Sequence, residues 1–177
     1  DFDDALSVHA LKDGQIEIGV HIADVSAYVQ AESALDKEAH RRGNSTYLVG
    51  EVVPMLPKNL SNGICSLVEA QDRLAKSVLY TFDAKGNLLG HRLAETVIRS
   101  DKRLTYEQAK LLMDESDLSK VRSAKPPESR YSGAPGAPLA GLDDGKLRKI
   151  RSTLRKLWDI AAKLRKKRLR QGSLDLG

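Results

Sequence analysis

The sequence predicts an α+β fold in which mixed or antiparallel hairpins pack with helices, ending on a long basic C-terminal helix. Three observations predict it. Two turn signals, Lys12-Asp13-Gly14 and Asp83-Ala84-Lys85-Gly86-Asn87, each separate a pair of strand-like arms. Two short helices are announced by capping residues, Ser33 and Thr105. Apolar residues from Leu147 to Leu164 recur at steps of three and four, the spacing of an amphipathic helix. A chain of 177 residues, 41% hydrophobic and 30% charged, is long enough to bury a sizeable single core.

In chain order, Asp1-Phe2-Asp3-Asp4 comes first, three carboxylates followed at once by the apolar run Ala5 to Val8. Like charges this close repel and raise one another's pKa, so a folded domain tolerates them mainly where a cation neutralises them. A hard divalent ion such as magnesium takes one or two carboxylates and fills its shell with waters and a phosphate. In a strand Asp1 and Asp3 point to one face and Asp4 to the other, so convergence of all three requires a bend. A solvated acidic terminus is the alternative. The first hairpin follows, Ala5–Leu11 against Gln15–Asp24. Its second arm alternates Ile16, Ile18, Val20 and Ile22, which predicts one buried face with His21 on the other. His21 is read either as a structural histidine or as a group orienting something near the acidic cluster.

Ser33 opens a helix that runs to about Arg42 and stops at Gly43. Asn44–Val49 is read as extended, and the prolines of Val52-Val53-Pro54-Met55-Leu56-Pro57 keep the chain extended and stiff. Leu60–Leu67 is read as a turn plus one helical turn. Leu74–Phe82 and Leu88–Ile98 form the second hairpin, and Thr105 caps a helix ending near Met113. From 115 to 145 the composition turns Pro/Gly-rich, which predicts a flexible loop. In the last helix twelve Lys/Arg stand between Lys146 and Arg170 against the single acid Asp159, a face read either as solvated or as RNA-contacting.

The charge is lopsided. Residues 1–72 hold 5 Lys/Arg against 12 Asp/Glu, a net of −7, and residues 73–177 hold 24 against 12, a net of +12. An acidic front joined to a basic rear suits an enzyme acting on a polyanion. No apolar run is long enough to cross a bilayer and no secretory signal is present. The lone Cys65 excludes an internal disulfide and fits a reducing, cytoplasmic compartment. The chain opens within a motif, which reads as a piece of a longer protein.

The ordered blocks Asp1-Phe2-Asp3-Asp4-Ala5, Gly19-Val20-His21-Ile22-Ala23-Asp24-Val25-Ser26, Ser45-Thr46-Tyr47-Leu48, Val53-Pro54-Met55-Leu56-Pro57, Leu60–Leu67, Asp72-Arg73-Leu74 and Arg103-Leu104-Thr105-Tyr106 resemble the RNB catalytic domain of ribonuclease II and ribonuclease R, shared with the catalytic exosome subunit. The likeness is dense from Asp1 to about Met113 and resumes in the last helix and in Gly172–Leu176. It divides the chain into 1–114, the front part of that domain; 115–145, the Pro/Gly-rich loop; and 146–177, the basic helix and the start of the next segment.

The resemblance implies a hydrolytic 3′→5′ exoribonuclease, processive on single-stranded RNA, that releases nucleoside 5′-monophosphates. Asp1, Asp3 and Asp4 match the last three of the family's four acidic positions, D-x5-D-x-D-D, and the first falls outside the sequence. Their implied roles are catalytic and metal-binding. Asp1 and Asp4 coordinate magnesium, for which manganese substitutes, and Asp3 is the carboxylate on which cleavage most depends. Two ions about 3.5–4 Å apart are implied, acting on the attacking water and the leaving 3′ oxygen. Tyr47 matches the tyrosine that stacks on a base near the RNA 3′ end. Flanking cold-shock and S1 RNA-binding domains are expected in the parent chain. Two departures stand out. Val68-Glu69 replaces the family's usual Asn-Pro, read as a mild change in a surface turn, and the family's later arginine-bearing block is absent. Two other readings stay open: a non-catalytic RNA-binding homologue, and another D-x-D phosphoryl-transfer hydrolase, whose usual βα alternation the consecutive hairpins do not show.

Overall fold

A computed structural model describes residues 2–49, 51–124 and 137–173. Six strands and four helices follow one another as β1 (Asp4–Ala10), β2 (Ile16–Ala23), α1 (Ala34–Arg42), β3 (Thr46–Leu48), β4 (Glu51–Val53), β5 (Asp72–Phe82), β6 (Leu88–Arg99), α2 (Tyr106–Asp114), α3 (Leu118–Ser123) and α4 (Asp144–Arg170). One sheet has the order β1-β2-β5-β6, and β3 pairs with β4 antiparallel in a separate ribbon. The α+β class with antiparallel hairpins is therefore what the chain adopts. Two compact units divide it. The first comprises Gly19–Leu79 and His91–Arg103 with the chain's first residues up to Leu6, and the second Ser7–Ile18, Tyr80–Gly90 and the chain from Leu104 onward.

Turn chemistry sets the strand register. Asp13 (φ 56°) and Gly14 (φ 72°) both occupy the left-handed region that the Asp-Gly pair tolerates well. At one end of the hairpin Leu11 N–H donates to Gln15 O at 2.8 Å, and at the other Ala23 N–H donates to Asp3 O at 2.9 Å. The second bond sets Asp3 beside Ala23. Asp24 N–H donates to Leu74 O at 3.0 Å, tying the end of β2 to β5.

The expected alternation of β2 holds for only half of the strand. Ile18 is buried at 7% exposure, but in the first unit His21 (6%) and Ala23 (9%) are buried while Ile22 is 48% exposed. Burial has changed parity along the strand. The buried polar ring costs little because His21 Nδ1 hydrogen-bonds Ser77 Oγ at 2.7 Å. His21 is thus held in the interior, against the expectation that it points away from the covered side.

In the second unit Leu112, Val121, Leu139 and Leu147 are each no more than 2% exposed and form the main cluster, with Leu104, Leu118, Ile150 and Leu154 around it. The expected loop 115–145 contributes directly to this core. Asp117 caps α3 by accepting from Ser119 N–H at 2.9 Å, and Val121 and Leu139 lie inside the cluster; residues 125–136 lie outside the described residues. The basic residues of α4 do structural work that its sequence leaves open. Arg151 Nε donates to Leu112 O at 2.7 Å and Arg155 Nη2 to Met113 O at 2.6 Å, so two guanidinium groups satisfy carbonyls left over at the end of α2. From Ala161 to Arg170 every residue of α4 is exposed. Among the described residues no helix is long and apolar enough to cross a membrane.

Candidate active site

The acidic motif is pinned through its backbone and its phenylalanine. Phe2 N–H donates to Ser66 Oγ at 2.9 Å, Phe2 O accepts from Leu67 N–H at 2.8 Å, and the Arg103 guanidinium lies 4.3 Å from the centroid of the Phe2 ring. With Asp3 O held by Ala23, the backbone on both sides of Asp3 is fixed while its carboxylate is left open. Asp3 and Asp4 are exposed, and no side-chain donor or cation among the described residues engages either one. Asp1 lies outside the described residues. Among the described residues no three His, Cys, Asp or Glu side chains gather into a metal-holding group.

Asp24 behaves in the opposite way. It is 7% exposed and accepts from Ser26 Oγ at 2.5 Å and Ala27 N–H at 3.2 Å, with Lys76 Nζ at 3.4 Å. The Ser26 hydroxyl, and after it the Lys76 ammonium, hold its carboxyl below the ordinary carboxylate range against the opposing pull of burial. Lys76 is shared with Glu95. The Asp24 oxygens are therefore occupied by the protein, and this carboxylate caps the turn Val25–Ala27 rather than awaiting a ligand.

A third observation relates these acids. Burial pushes the Cys65 thiol up, Asp24 pushes it further, Arg73 opposes them, and Asp3 adds to the rise. The Asp3 and Asp24 carboxylates and the Arg73 guanidinium thus share one neighbourhood around buried Cys65. Arg73 is itself anchored, donating through Nε to Ser66 O at 2.9 Å and through Nη1 to Asp72 O at 2.9 Å.

Tyr47 stands in β3 opposite Val52, with 67% of its surface exposed. The base of that ribbon is fixed by Met55 N–H donating to Ser45 Oγ at 2.9 Å and by Arg42 Nη1 donating to Pro54 O at 3.0 Å. The ring is therefore an open aromatic face on a braced hairpin. Sequence reasoning passed over Asp24, Ser66, Arg73 and Arg103. The Asp24-Val25-Ser26 spacing, typical of a side chain capping its own turn, was the signal available for the first; the others act across long sequence separations.

In donor chemistry Asp3 and Asp4 fit a hard divalent cation, since they offer exposed carboxylate oxygens that no side chain among the described residues engages. Asp24 does not fit, its oxygens being spoken for. Asp24→Asn is expected to cost about 1–3 kcal/mol of stability at neutral pH, because a buried charge-assisted pair is lost. The group's folded pKa is depressed, so its contribution is present above the unfolded value of about 3.9 and is lost as pH falls through the folded one. Denaturant titrations should show the gap between the two proteins at pH 7 closing as the pH is taken from about 4 downward.

The RNB domain family model matches residues 1–177. Ribonuclease R of Thermotoga maritima is 50% identical over 126 residues, 71% of this chain and 18% of that protein. Mycoplasma genitalium RNase R, solved in complex with double-stranded RNA, superposes with a TM-score of 0.75 at 28% identity, covering 99% of this chain and 26% of that one. Yeast Ssd1, a pseudonuclease, superposes at 0.59 with 25% identity, covering 64% of this chain and 14% of its own. This chain spans only a minor part of each relative.

Proposed function

The chain belongs to the RNB domain family, and from that premise we propose that it is the front portion of the catalytic domain of a longer 3′→5′ exoribonuclease. That enzyme hydrolyses single-stranded RNA processively to nucleoside 5′-monophosphates. The observation that carries the proposal is that Asp3 and Asp4, on a backbone braced from both sides, have no side-chain partner among the described residues, whereas the oxygens of Asp24 are occupied. Asp1, Asp3 and Asp4 would hold magnesium, with manganese as a substitute, and two such ions when bound supply charge stabilisation to the scissile phosphate and its nucleophile. Asp3 is the carboxylate on which cleavage most depends. The bond from Ala23 N–H to Asp3 O fixes the backbone from which that carboxylate projects.

Tyr47 presents a flat face on which a base near the RNA 3′ end stacks, an interaction indifferent to sequence. Tyr47→Ala in the full-length protein should weaken single-stranded RNA binding by about 1–3 kcal/mol, whereas Tyr47→Phe keeps the face and the affinity. Fluorescence anisotropy with a labelled oligonucleotide measures both, and equal losses for the two variants would remove the stacking role. The chain alone is proposed to be inactive, and cold-shock and S1 RNA-binding domains are proposed to flank it in the full-length protein.

Yeast Ssd1, a pseudonuclease of the same fold, favours a second reading, a non-catalytic RNA-binding homologue. The full-length protein, given Mg²⁺ and labelled single-stranded RNA, decides between them. Stepwise monophosphate release supports the nuclease. RNA binding without turnover supports the second reading.

A further inference from the structure

The ring of Phe2 is covered by Arg103, whose backbone is held by Glu69, 34 positions away in sequence. Glu69 accepts from Lys102 Nζ through both carboxylate oxygens at 3.0 Å, and through Oε2 from Arg103 N–H at 3.2 Å. The Lys102 side chain is 7% exposed and that of Glu69 35%. A lysine this buried requires its counter-charge, so the two segments cannot part without stranding an ammonium group. The backbone between them is paired as well, with Glu69 bridging Ser100 and Ala70 N–H donating to Ser100 O at 2.9 Å. Ala70 takes φ 61°, a left-handed conformation that costs an alanine energy and persists only where its surroundings dictate it. Val68-Glu69, expected as a mild change in a surface turn, is therefore a structural junction.

We infer that Glu69 and Lys102 form a latch that seats Arg103 on Phe2, making Arg103 a positioning residue for the acidic motif. The chain of contacts runs in one direction. Glu69 fixes the Arg103 backbone; the Arg103 guanidinium covers the Phe2 ring; Ser66 and Leu67 hold the Phe2 backbone; and Phe2 separates the first acid of the motif from Asp3. With the ring uncovered, Phe2 has two backbone bonds and no lid, and Asp3 beside it loses a fixed reference. The inference rests on the proposed role of Asp1, Asp3 and Asp4.

The test uses the full-length protein and the variants Arg103→Ala, Arg103→Lys and Glu69→Gln. Mn²⁺ affinity is measured by calorimetry without RNA, and the Mg²⁺ concentration giving half-maximal turnover is measured on single-stranded RNA. Arg103→Ala is expected to weaken Mn²⁺ binding and raise the Mg²⁺ midpoint by about 5- to 10-fold, the scale of a lost cation–π contact. Arg103→Lys, which keeps the charge but not the flat face, is expected to fall between. Glu69→Gln is expected to move both readouts in the same direction, because it loosens the latch without touching Phe2. A drop in melting temperature with both metal readouts unchanged would overturn the inference, since it is all that a merely structural role predicts. If Arg103→Ala fails to fold, Arg103→Lys decides alone, and native metal readouts in it are equally fatal. Asp3→Asn, run alongside, keeps the two ideas apart. Full turnover by Asp3→Asn removes the premise and the latch with it, whereas inactive Asp3→Asn beside unaffected Arg103 variants removes the latch alone.

Discussion

Asp3→Asn in the full-length protein is expected to lower RNA turnover by roughly 10²–10³-fold or more, with RNA binding retained within a few-fold. The two effects separate because the groups responsible differ. On the proposed reading, affinity for a polyanion comes from cations spread along the chain, whose residues from 73 onward carry a net charge of +12, and from stacking on Tyr47. Turnover, on the same reading, depends on a carboxylate without a side-chain partner among the described residues, whose backbone is braced through Ala23 and, one residue earlier, through Ser66 and Leu67. Asparagine is nearly the same shape, so the ladder and the Phe2 seat survive, and only the negative charge disappears. Single-turnover degradation of a labelled oligonucleotide at saturating Mg²⁺, paired with anisotropy, measures both halves. Wild-type turnover by Asp3→Asn would falsify the assignment. Parallel loss of binding and turnover would instead mark Asp3 as part of the folding apparatus.

Much of the fold was legible because it is written in local chemistry. Asp13-Gly14 announces a turn through its tolerance of positive φ, Ser33 and Thr105 announce helices through their hydroxyls, and Gly43 ends α1 at φ 75°. Each depends on neighbours within four residues. The parity change in β2 was hidden for the converse reason. Which side of a strand is covered is decided by what packs on it, and Ser77, the partner that makes a buried His21 tolerable, is 56 residues away. The helix α3 was obscured by the prolines and glycines that follow it, although Asp117, Leu118 and Val121 already spelled a cap and an apolar step of three.

The candidate site divides along the same line. The acidic motif was visible as a residue type suited to metal chemistry, and Tyr47 only through the resemblance to the RNB domain. Their support was not, because Ser66, Arg73, Glu69 and Lys102 are ordinary polar residues until the fold brings them to the motif. Asp24 shows the hazard in this. It is an acid in a motif that the resemblance covers, yet its hydrogen bonds to Ser26 and Ala27 make it a cap. Open oxygens, rather than the mere presence of a carboxylate, distinguish a candidate ligand from a structural acid.

The second large effect is expected far from any carboxylate. Leu147→Ala should destabilise the protein by about 2–5 kcal/mol, the range for removing a leucine from a packed interior. Leu147 is 0% exposed, as are Leu112 and Val121, and Leu139 is 2% exposed, so the four leave no room through which the cavity could drain or refill with water. The neighbours are poorly placed to relax into the gap. Arg151 ties α4 to the final carbonyls of α2, and Arg122 pairs with Asp144 beside the Asp143 cap, so the helices are held at their spacing by polar contacts that survive the substitution. Leu164→Ala is the control, since Leu164 is 40% exposed and its loss should stay within about 0.5 kcal/mol. Urea titration of the full-length variants reads the difference through the transition midpoint at unchanged slope. A Leu147→Ala midpoint indistinguishable from that of Leu164→Ala would mean that this cluster does not hold α2, α3 and α4 together, and that the arginine clamps alone suffice.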